Sequence, residues 1–226
     1  MQRTKLADRT LPDYTKGEEI FNMVSHIVGG AVGVTALVLC VIFAAIHGNV
    51  YGVVGSAIYG ATMITLYTMS SVYHGLSPRL MAKKVMQVLD HCTIYFLIAG
   101  TYTPIALCNI REYNTALGWT IFGVIWAMAA LGVTLTAIDL KKYSKFSMIC
   151  YLGMGWCIVF TAPLLPEILG IGGVVFLLTG GIAYTVGAVL YAVGKKKKLK
   201  YMHSVFHLFV VAASILHFFC ILFYVV

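Results

Sequence analysis

The chain has 226 residues, of which 60% are hydrophobic and 11% charged. A soluble domain carries about a quarter charged residues, so no soluble core of this length hides so much apolar surface and lipid must cover much of it. The formal charge of +8 does not indicate nucleic acid, because the basic residues fall in short clusters between apolar runs rather than along one face.

In chain order, residues 1–19 form a polar tail, MQRTKLADRTLPDYTKGEE. No short apolar run follows a basic start, so no cleaved signal peptide is expected and the first helix itself directs insertion. Residues 20–226 read as a single domain of seven apolar segments, at approximately 20–46, 50–73, 85–108, 116–137, 145–164, 168–193 and 202–225. Each is near the roughly 20 residues that span hydrocarbon as a helix. Lipid cannot satisfy exposed backbone groups, and no ten-residue strand alternation occurs. The predicted fold class is therefore an all-α membrane protein, a seven-transmembrane helix bundle.

The joints set its orientation. The tail holds Arg3, Lys5, Arg9 and Lys16; three basic residues lie in 75–84, three in 139–145 and five in 194–201. Those regions share one side of a seven-span bundle, and the opposite joints hold only Arg111. This bias predicts a cytoplasmic N terminus and an external C terminus. Lys195–Lys198 reads as a topology anchor. The paired glycines (29 and 30, 153 and 155, 180 and 181) read as close helix packing, and the six cysteines as buried thiols without a disulfide framework.

Ionisable groups inside spans are costly, so each is a functional candidate. They are His26, His74, Asp90, His91, His203, His207 and His217. In the predicted topology His74, Asp90, His203 and His207 all fall near the cytoplasmic ends of their helices. His203 and His207 stand at i and i+4, so their imidazoles project from one face and can share an ion. Ser70 and His74 have the same spacing. Three histidines with one open position make the usual ligand set of a catalytic zinc ion, Zn2+, which makes hydroxide available at neutral pH. Asp90 is the one acid inside the bundle at that depth. His217 lies ten residues beyond His207, roughly 15 Å away, which suits a buried interhelical hydrogen bond rather than ligation. His91 points about 100° away from Asp90 around the helix and reads as a packing residue or one that supports the site from behind. Glu19 and Asn22 are open between a role at the site and capping of the first helix, and His26 is open to lining the cavity, not ligation.

The stretches SSVYH (70–74), LDHCTIYFLIAGTYTP (89–104) and HSVFHLFVVAASILHF (203–218) closely resemble the hemolysin III family. GEEIFNMVSHIVGG (17–30) looks like the start of a bacterial member. That family belongs with the progestin and adipoQ receptors and, more distantly, with alkaline ceramidases. The resemblance implies that His74, His203 and His207 ligate zinc, that Asp90 contacts it through water, and that Ser70 steadies an oxyanion or supports the ligands. It also implies a multi-pass protein of the bacterial inner membrane whose partners are membrane lipids.

Two readings follow, a zinc-dependent lipid amide or ester hydrolase and a sensor or regulator of membrane lipid state with a structural zinc. A third, a pore-forming cytolysin, is disfavoured because the chain reads as permanently inserted.

Overall fold

The structure, a computed structural model, describes residues 4–226. Seven helices are long and apolar enough to cross a membrane: α1 Lys16–Ile46, α2 Val50–Gly75, α3 Met81–Tyr113, α4 Thr115–Ile138, α5 Ser144–Thr161, α6 Leu165–Lys197 and α7 Met202–Tyr224. No strand occurs among the described residues.

Several helix bounds differ from the apolar runs, each for a local reason. α1 starts at Lys16, ahead of the hydrophobic stretch, because Thr15 and Glu18 form a reciprocal capping box. Glu19 and Asn22, candidates for that role in the sequence, take no part in it. In α3 the helix widens into a π turn over Ala106–Ile110 just after Pro104, which cannot donate a backbone N–H. α6 begins before a kink at Gly170, whose φ of 65° suits a residue without Cβ.

Helix α3 runs through the middle of the bundle and is buried along most of its length. α2, α4 and α5 pack against it, and α1 joins α2 to α7. Gly60 lets α1 and α2 approach closely, since a Cβ there would stand 2.7 Å from the Cα of Leu37. Most α6 contacts are with α7, whereas α5 and α6 touch sparsely.

The four basic regions meet at one end of the bundle. The Thr4 N–H donates to Asp139 Oδ2 in the α4–α5 joint at 2.9 Å, and Lys84 at the start of α3 donates to the Ala7 carbonyl. The Tyr201 N–H in the α6–α7 joint donates to Glu18 Oε1 at 2.6 Å. Residues 4–15 thus fold across the basic end of the bundle as a strap.

Candidate metal centre

His203 and His207 project from one face at the start of α7, as the i, i+4 spacing requires, and their Nε2 atoms lie 3.1 Å apart. Antiparallel packing of the bundle brings the last turn of α2 to the same depth. One ligand atom each from His74, His203 and His207 then falls within 4.8 Å of the others. Two nitrogens bound tetrahedrally to one zinc ion at about 2.0–2.1 Å would stand about 3.3 Å apart, close to the spacing of the α7 pair.

Hydrogen bonds on the outer ring nitrogens fix the direction of two of these donors. His74 Nδ1 lies 2.6 Å from Glu19 Oε2. An ionised carboxylate only accepts, so Nδ1 carries a proton and Nε2 is the nitrogen left for a metal. That Nε2 atom is buried and has no protein partner. His207 Nδ1 donates to the Asn22 carbonyl at 3.2 Å, which leaves its Nε2 for a metal as well. Asn22 is held in turn by Ser204, whose hydroxyl donates to Asn22 Oδ1 at 2.7 Å. Glu19 and Asn22 therefore orient two of the three imidazoles from α1. Their three-residue spacing places them on one face of that helix.

The third imidazole is held by stacking. Tyr14, in the strap, lies parallel to His203 with ring centroids 5.1 Å apart and 9° between planes. Burial, with Tyr191 nearby, raises the Tyr14 hydroxyl pKa above its ordinary value, so it stays protonated. His26 stacks on His207 at 3.5 Å and 8°. It lies outside the three-histidine group and lines a cavity, as expected for it.

That cavity, of about 190 Å³, is bounded at its basic end by Ser70, Asp90, His203 and His207, and farther along by Tyr102, Ile105 and Leu177. From Asp90 to Ile105 is about 22 Å along α3 at 1.5 Å per residue. Its wall is overwhelmingly apolar. The Ser70 hydroxyl is buried without a partner. Asp90 lies on the cavity wall with its carboxylate 3.7 Å from His91 Nδ1, and does not belong to the three-histidine group. His91 is tied to its own helix through the Gln87 carbonyl at 2.8 Å. His217 Nε2 donates to the Leu177 carbonyl on α6 at 3.1 Å, an interhelical bond remote from the cluster. All six cysteines are free thiols.

The family model for haemolysin-III related proteins matches residues 14–218. The chain belongs to that family of multi-pass membrane proteins. It is 39% identical to Hemolysin-3 of Bacillus cereus over 92% of each chain. It is 35% identical to the Hemolysin-3 homolog of Bacillus subtilis (strain 168), over 94% of this chain and 97% of that one. A weaker match, 29% identical over 73% of this chain and 67% of the other, is to the human monocyte to macrophage differentiation factor.

Proposed function

We propose that the chain is a zinc-dependent hydrolase that cuts an amide or ester bond in a membrane lipid, with its site at the cytoplasmic end of the bundle. One observation carries this reading: of three converging imidazoles, two, those of His203 and His207, line the end of a long apolar cavity inside the bundle. A polar lipid head brought to the histidines would leave its acyl chain among side chains as apolar as the bilayer. The sparse packing between α5 and α6, both of which line the cavity, supports sideways entry from the membrane.

The donor set fits zinc: three imidazoles, two with their outer nitrogens already committed to a carboxylate and a carbonyl. When bound, the ion would supply a Lewis acid and make hydroxide available at neutral pH. Asp90 is the carboxylate placed to take up a proton at the cavity wall, and the unpartnered Ser70 hydroxyl is a donor for an oxyanion. Tyr14 covers His203 from the strap side and restricts water. The name of the Bacillus relatives raises lysis as an activity; a bundle packed around a buried central helix supports a resident protein instead.

The test is lipid turnover. Metal-replete protein, reconstituted with lipids extracted from a bacterial membrane, is expected to release free fatty acid. His203→Ala and Asp90→Asn should reduce the rate at least about a hundredfold. Zinc-loaded protein that turns over no lipid from that extract would overturn the hydrolase reading and leave regulation of membrane lipid state by a structural zinc.

A further inference from the structure

The sequence groups Lys83 with the basic residues that set topology, yet the structure buries it. Its side chain is 1% exposed, whereas its neighbour Lys84 is only half-buried and reaches the strap. A topology anchor works from the aqueous side, so burial of Lys83 needs another cause. An isolated ammonium in this position would be strongly unfavourable, and three partners compensate it. Its Nζ lies 2.7 Å from Glu19 Oε1, donates to the Leu76 carbonyl at 2.9 Å, and stands 5.0 Å from the centre of the Tyr73 ring.

The other oxygen of the same carboxylate accepts from His74 Nδ1 at 2.6 Å. Glu19 is therefore a bridge with one oxygen on each partner, and it joins three helices: α1 through itself, α2 through His74, and α3 through Lys83. With Lys83 removed, Oε1 loses its charged partner and the carboxylate is free to rotate about its side-chain bonds. The imidazole it steers would then lose its fixed direction. Neither Asn22 nor Ser204 can compensate, because they engage His207 and each other.

We infer that Lys83 is a positioning residue of the metal centre: by fixing Glu19, it holds His74 with Nε2 directed at the position a metal would occupy between the three histidines. This rests on the reading of those histidines as ligands. Partners of this kind, one step behind a ligand, typically contribute 10–100-fold to metal affinity.

The experiment is a thermodynamic cycle on the full chain in detergent, read by zinc titration and by the melting temperature of the metal-free protein. The variants are Lys83→Met, Glu19→Gln and the double substitution. Each single change is expected to weaken zinc binding about 10–100-fold, with the double variant no weaker than Glu19→Gln alone. Wild-type affinity in Lys83→Met, or losses that add in the double variant, would overturn the inference. So would a lower metal-free melting temperature with unchanged zinc affinity, which marks a purely structural lysine. Should Lys83→Met not fold, Lys83→Gln keeps a donor without the charge and is expected to bind zinc at an intermediate strength; wild-type affinity there would also contradict the role. Wild-type protein that binds no zinc would sink the ligand reading itself, a result distinct from a failed cycle.

Discussion

His203 Nε2 and His207 Nε2 stand 3.1 Å apart at the start of α7, and His74 on α2, its Nε2 buried without a partner, offers a ligand atom within 4.8 Å of theirs. Two of these rings already commit their Nδ1 atoms to Glu19 and Asn22, which leaves their Nε2 atoms for an ion. A cation relieves that arrangement, and binding to the folded state alone stabilises it. Zinc at about a thousandfold above its dissociation constant is expected to contribute about 4 kcal/mol. The corresponding rise in melting temperature is on the order of 10 °C. A chelator should reverse it, and thermal melts with and without chelator provide the check.

His26 offers a contrast within the same cluster of rings. It stacks on His207 at 3.5 Å, but neither ring nitrogen has a partner and it lies outside the ligand group. His26→Phe conserves shape and stacking, and is expected to keep full zinc stoichiometry with a stability change below about 1.5 kcal/mol. Loss of zinc in this variant, measured by elemental analysis, would make His26 a ligand.

Close packing of α1 on α2 sets the depth at which Glu19 meets His74. A Cβ at Gly60 would stand 2.5 Å from the Leu37 Cβ and 2.7 Å from its Cα, and backbone cannot swing away. Gly60→Ala is expected to destabilise the bundle by about 1–3 kcal/mol. Gly123→Ala, on α4 with open space around it, is the control and should be neutral or slightly stabilising. Denaturation of both in one detergent checks the pair.

The strap responds to acid through Asp139. Backbone N–H groups of Thr4 and Lys142 hold this carboxyl at about 2, below its ordinary 3.8. A depressed pKa means that its contribution is complete above the unfolded value and is lost as pH falls through the folded one. The tether should therefore hold at pH 5 and release between about pH 4 and 2. Asp139→Asn is expected to abolish that dependence. Amide hydrogen exchange across residues 4–15 reports the release.

The seven spans and the three histidines were legible because each rests on a strong local pattern. Apolar runs of spanning length mark the helices, and H-x-x-x-H marks one face of α7. For Glu19 and Asn22 the sequence leaves capping and a role at the site both open, because it does not say which of several polar residues in the first two turns faces inward. Thr15 and Glu18 satisfy the helix end and free the other two for the site. Lys83 was hidden by its own company, since a lysine among loop lysines looks like an anchor until its burial is seen. Tyr14 lay in a tail with no periodicity, and only the folded strap brings it onto His203.

The most direct test of the account is the metal content of purified protein. Elemental analysis is expected to find one zinc per chain in the wild type and its loss in both His74→Ala and His203→Ala. Zinc retained undiminished in both variants, or no bound metal in the wild type, would contradict a centre built from these three histidines.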